Sequence, residues 1–177
     1  MGQRDIGQLE QSSWKAYYKV LFKEGRESAT GFPANSISQS AMDVSDEDRE
    51  RHLEEIWARG GFNFQVANYH DIVRNEDSNR KVYDFWAKKV RQRIKDPRKR
   101  ALMAPTEPPY FFGTKRVPLE QDYYECIDQD NVDLVDLTKT PIKEFNGTGI
   151  LLDSSENRQL DLDIVVLATG FDAVTGS

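Results

Sequence analysis

The sequence predicts an α/β chain in two parts, a helical subdomain to about residue 112 and a strand-rich remainder. Three observations predict it. Apolar residues recur three or four apart through the first part, and the pattern changes after Gly113. Short β-branched runs and an Asn-Gly turn signal follow. Near the end, Ile164, Val165, Val166 and Leu167 form a continuous apolar run typical of a buried parallel strand, and it opens directly onto Ala168-Thr169-Gly170.

Residues 1–13 are polar and unpatterned and are expected to be disordered or an internal start site. Over 14–24, Trp14, Tyr17, Tyr18, Val20, Leu21 and Phe22 are spaced as on a helix. A loop follows through Gly25, Gly31, Pro33 and Asn35. Ser45 and Asp48 form a Ser-x-x-Asp start signal. The helix it opens carries His52, Leu53, Ile56 and Trp57 and stops at Gly60-Gly61. Phe62, Phe64 and Val66 make a short apolar segment leading to Asn68-Tyr69-His70-Asp71. Val82, Phe85, Trp86, Val90 and Ile94 make the clearest helical stripe, with Lys and Arg opposite. Asp96-Pro97 reads as an N-cap with proline at the first helical position, opening a helix to about Met103. Pro105, Pro108 and Pro109 end helical structure there.

In the second part, Val132, Leu134, Val135 and Leu137 suggest a strand. Ile142 to Phe145, Asn146-Gly147, and Ile150 to Leu152 read as a hairpin with a glycine-dependent turn. Leu160 and Leu162 alternate, as on a strand.

A net charge of -6 and a pI of about 5.0 argue against bulk nucleic-acid binding. One cysteine, Cys126, excludes an internal disulfide. No apolar run approaches the roughly 20 residues of a membrane span. A soluble cytoplasmic protein is the expectation, with no membrane or nucleic-acid partner. His52 and His70 lack Cys or His companions, so no metal site is expected. Cys126 has no evident activator and reads as a buried or inert thiol. The basic run Lys88, Lys89, Arg91, Arg93, Lys95, Arg98, Lys99 and Arg100 could meet phosphates, but it reads first as a solvated helix face.

Two segments invite a chemical reading. Ligands of open α/β sheets bind beyond the carboxyl ends of strands, and the small residues Ala168, Thr169 and Gly170 would let a dinucleotide approach the backbone there. The plainer alternative is an ordinary strand-to-loop exit. Lys115-Arg116 sits in a loop beside Pro118; by chemistry alone it is a solvated basic pair, since exposed Lys and Arg are the common case.

Taken further, Ala168-Thr169-Gly170-Phe171-Asp172-Ala173-Val174-Thr175-Gly176 resembles the string that Baeyer–Villiger monooxygenases carry where the chain leaves the NADPH domain for the FAD domain. Gly113-Thr114-Lys115-Arg116-Val117-Pro118-Leu119, Tyr123-Tyr124-Glu125, Asn131-Val132 and Pro141-Ile142 are similar to the family in order and approximate spacing. Gly60-Gly61-Phe62 and Asp96-Pro97 resemble its inserted helical subdomain. The likeness runs from about Trp14 to the end.

The resemblance implies a helical insertion over 14–112, the return half of a Rossmann-like NADPH-binding domain over 113–167, and over 168–177 a linker toward an FAD domain. It implies FAD and NADPH as cofactors, and a ketone and dioxygen as reactants. Arg116 would be the catalytic arginine, and Lys115, Ala168, Thr169, Gly170, Phe171 and Asp172 would contact cofactor. Arginine suits the task because its guanidinium stays protonated and offers a planar fork of donors where negative charge develops. The sequence lacks any Gly-x-Gly-x-x-Gly loop, the usual pyrophosphate cradle. The expectation is therefore an internal fragment that does not complete the reaction alone. A nitrogen- or sulfur-oxidising flavin monooxygenase and a non-catalytic helical binding module are the alternatives.

Overall fold

The computed structural model describes residues 8–115, 117–155 and 157–170, the side chains of residues 8–14 excepted. It divides into two compact units, Met1–Val132 and Asp133–Ser177. The division falls later than the change in sequence pattern near residue 112, because the segment after Gly113 packs with the helices: Val117 and Tyr124 belong to the same core as Phe64 and Phe85.

The first unit holds six helices among the described residues: α1 (Gln8–Glu27), α2 (Asp46–Ala58), α3 (Asn63–Val66), α4 (Glu76–Arg93), α5 (Pro97–Met103) and α6 (Tyr123–Ile127). Helix α1 begins within the polar stretch expected to lie outside the fold, and its Tyr17 and Phe22 face solvent. Ser45 caps α2 as its sequence predicts, accepting from the Asp48 N–H at 3.1 Å. Replacing Ser45 with alanine should cost about 1 kcal/mol, read as a lower urea midpoint. Gly60 and Gly61 both adopt positive φ, which ends α2 and turns the chain into α3. Residues 62–66, read as an apolar segment, include the single turn of α3, which buries Phe64. Asp96 caps α5 through the N–H groups of Arg98 and Lys99, with Pro97 at the helix start.

Helix α4 is the axis of this unit. Val82, Phe85, Val90 and Ile94 are buried, and Phe85 stacks on Phe64 at 5.6 Å. Its polar face is not simply solvated. Lys88 pairs with Glu50 and Lys89 with Glu54, tying α4 to α2. Arg91 donates to the Ala104 carbonyl at 2.6 Å. Beyond the helix, Lys99 is buried and donates to the carbonyls of Ile127 and Gln129, and Arg100 donates to those of Ile94 and Lys95. Much of the basic run therefore fastens this unit internally.

Among its described residues the second unit contains one antiparallel sheet in the order β1-β2-β3: β1 (Ile142–Asn146), β2 (Gly149–Leu152) and β3 (Gln159–Asp161). Asn146 pairs with Gly149, so Gly147-Thr148 is the turn. The glycine the fold requires is Gly149. It has φ +145, and a Cβ there would meet the Leu160 carbonyl oxygen at 2.1 Å. Residues 132–137 form no strand. Nor do residues 164–167: the run expected to be a buried parallel strand is exposed, with Val166 at 81%. A strand needs a hydrogen-bonding neighbour, and β3 pairs only with β2 among the described residues.

Candidate active site

The first unit contains a cavity of about 530 Å³ whose walls are largely apolar and include six aromatic side chains. Helix α4 supplies Tyr83 and Trp86, the segment before Gly113 supplies Tyr110 and Phe112, and α6 supplies Tyr124. Lys115 lines the same cavity. Its Nζ lies over the Tyr110 ring, 4.3 Å from the centroid, a cation–π contact that gives the ammonium a defined position.

Local sequence explains why the loop turns here. Gly113 has φ +85, and Thr114 folds back so that its N–H and hydroxyl both donate to the Phe111 carbonyl. Phe112 is buried and bracketed by the rings of Phe64, Tyr83 and Trp86 at 5.5–6.2 Å. Asn79 on α4 accepts from the Phe112 N–H at 2.9 Å and donates to the Phe112 carbonyl at 2.8 Å. A buried amide thus substitutes for a strand neighbour at the start of the loop.

The loop's far end meets Arg93, the last residue of α4. Its guanidinium donates to both oxygens of Glu120 (2.7 and 3.0 Å), both oxygens of Glu125 (2.6 Å each) and the Gln121 carbonyl (2.9 Å). It also lies 5.0 Å from the Tyr124 ring centroid. Glu125 first, then Glu120, holds the guanidinium above its ordinary range. Burial pushes the Tyr124 phenol up to about 12, with the Glu120 charge adding to it. Tyr124 therefore stays a neutral wall of the cavity near neutral pH.

Of the residues singled out by sequence, Lys115 lies at this cavity in the first unit. Ala168, Thr169 and Gly170 lie in the second unit and are exposed; Gly170 has φ +83, and a Cβ there would meet no atom within 4 Å. Arg116, Phe171 and Asp172 lie outside the described residues. The sequence reading missed Asn79, Tyr83, Tyr110 and Tyr124 as cavity or loop residues. The aromatic stripe of α4 signalled a core, but not that its Trp86 side would also wall a cavity. Cys126 is exposed, contrary to a buried thiol. His52 is a helix-face residue as expected: its ring packs on Tyr69 at 5.0 Å, and burial lowers its pKa. No cluster able to hold a metal occurs among the described residues. No helix among them is long and apolar enough to cross a membrane.

The arrangement suits a flat, polar-edged ring. Aromatic walls offer stacking and Lys115 offers positive charge. The pyrophosphate of a dinucleotide has no glycine-rich cradle in this chain.

No family model matches the chain. An FAD-binding monooxygenase, acrE, of Aspergillus aculeatus is 42% identical over 177 residues, which is 100% of this chain and 30% of that protein. Cyclopentanone 1,2-monooxygenase of Comamonas sp. is 38% identical over 99% of this chain and 32% of its own length. In fold, the crystal structure of OTEMO in complex with FAD and NADP matches 97% of this chain and 31% of its own, with a TM-score of 0.84 at 35% identity. The chain spans about 30% of the length of these relatives and, over that span, belongs to the Baeyer–Villiger-type FAD-binding monooxygenases.

Proposed function

We propose that this chain forms the cation loop and the NADPH-facing edge of a flavin-dependent monooxygenase that converts a ketone into an ester or lactone. One atom of dioxygen enters the product, the other leaves as water, and NADPH is oxidised. FAD, when bound, supplies the oxygen chemistry. Lys115 faces the nicotinamide cofactor across the aromatic cavity. Arg116, beside it in sequence, directs a permanent positive charge at the negative charge that develops during oxygen transfer. Ala168, Thr169 and Gly170, with Phe171 and Asp172 after them, contact cofactor at the end of a strand. That strand is residues 164–167, which pair into a Rossmann-like parallel sheet with strands supplied by the rest of the enzyme. Their exposure here supports this assignment.

The observation that carries the proposal is Lys115 at the edge of an aromatic cavity, in a chain whose relatives include a cyclopentanone monooxygenase. The test is Arg116→Ala in a flavoenzyme containing this stretch. Ketone oxygenation should fall by about 10²–10³-fold, as for loss of one donor aimed at developing charge. Unchanged oxygenation of cyclic ketones would remove Arg116 from the reaction. Faster turnover of an amine or sulfide than of any ketone would replace the substrate class.

A further inference from the structure

We infer that Arg93 and Asn79 are positioning residues for Lys115, clamping the two ends of its loop onto a single helix. This rests on the assignment of Lys115 to the nicotinamide cofactor. The two anchors lie near opposite ends of α4, with Asn79 in its first turn and Arg93 at its last position. At a rise of about 1.5 Å per residue, roughly 21 Å of helix separates them. Residues 117–120 adopt no helix or strand.

Each anchor is built for holding. Asn79 is buried and grips the Phe112 backbone from both sides while also donating to the Ile72 carbonyl. Arg93 engages two carboxylates, one main-chain carbonyl and one aromatic face with a single planar group. The Glu120 side chain is only 10% exposed, so loss of Arg93 removes two charge-assisted hydrogen bonds from a largely desolvated carboxylate. The segment just before α6 would then move toward water, and Lys115, five residues upstream of Glu120, would lose one of its two fixed ends.

Downstream of the anchor, α6 is held independently. Asp128 accepts from the N–H groups of Lys95 and Asp96, and Lys99 binds the Ile127 carbonyl. Loss of Arg93 should therefore loosen the loop without releasing the helix behind it. Arg80 is an internal control. It also projects from α4 and pairs with Asp84 and Glu107, but it anchors the segment before the cavity loop.

The test compares Arg93→Leu, Arg93→Lys and Arg80→Leu. In the 177-residue chain, Arg93→Leu should raise exchange of the Tyr123 amide, which donates to the Glu120 carboxylate at 3.3 Å, by about tenfold or more, leaving α4 amides within about twofold. Arg93→Lys, which can meet one carboxylate at a time, should restore part of the protection, and Arg80→Leu should leave this amide unchanged. In the flavoenzyme containing this stretch, Arg93→Leu should raise KM for NADPH about tenfold with flavin content unchanged. Unchanged exchange of the Tyr123 amide in folded Arg93→Leu overturns the clamp. So does an unchanged KM in Arg93→Leu where Lys115→Ala raises it. If Lys115→Ala itself leaves KM unchanged, the assignment of Lys115 to NADPH falls, and the exchange data alone decide whether Arg93 holds the loop.

Discussion

Truncation of Phe64 to alanine should destabilise the first unit by about 3–5 kcal/mol, the range for a fully buried phenylalanine. Phe64 is 1% exposed and sits on the one-turn helix α3. Its ring contacts Trp57 of α2 at 5.3 Å, Phe85 of α4 at 5.6 Å and Phe112 at 6.2 Å. One side chain therefore joins two helices and the residue that starts the cavity loop. These neighbours are already packed around other rings, so collapse into the space left behind should be incomplete, and the cavity adds to the lost burial. Denaturant unfolding followed by tryptophan fluorescence measures the effect directly, because Trp57 touches the site. A loss below about 1 kcal/mol would mean that this core repacks freely. The variant should also loosen Phe112 and, through it, the loop carrying Lys115.

The second large effect is expected at Asp71. Its buried carboxylate accepts from the Ser40 hydroxyl at 2.7 Å, the Ser78 hydroxyl at 2.6 Å and the Ala41 N–H at 3.2 Å. It thereby ties the segment before α2 to the first turn of α4. Burial pushes its pKa up, but the two serine hydroxyls and the backbone N–H pull it down, and it lies below the ordinary 3.8. A carboxyl depressed in the folded state stabilises the fold above its unfolded pKa, and that contribution disappears as pH falls through the folded value. Stability should therefore fall as the pH is lowered through and below about 4, the range set by an ordinary aspartate. Asp71→Ala should cost about 3 kcal/mol at neutral pH, because hydrogen bonds to a charged group are lost and their donors stay buried. It should also flatten the acid side of the stability profile. Urea midpoints measured across that range test both claims, and an Asp71→Ala profile as steep as the parent's would assign the acid sensitivity elsewhere.

Helix signals were legible where they are local. Ser45, Gly60-Gly61 and Asp96-Pro97 act through atoms within a few residues, and each does what its sequence predicts. The α4 stripe was legible because one buried face repeats at the helical period. Partner-dependent features were not. The basic residues of α4 look like a solvated face until Glu50, Glu54, Glu120 and Glu125 are brought against them. The two strands of the hairpin were placed correctly, but the turn is Gly147-Thr148 rather than Asn146-Gly147, and the essential glycine, Gly149, is set by the approach of Leu160 from a third strand. Residues 164–167 have a strand's composition, yet pairing depends on a neighbour that composition does not supply.

The sequence by itself determined the caps, the main helical stripe, the hairpin and the family resemblance, because these depend on short-range order along the chain. Only the tertiary structure decided that α4 walls an aromatic cavity, that Lys115 rests on Tyr110, and that Asn79 and Arg93 hold the ends of its loop. Those contacts join residues many positions apart, and their energies exist only once folding has removed the intervening water.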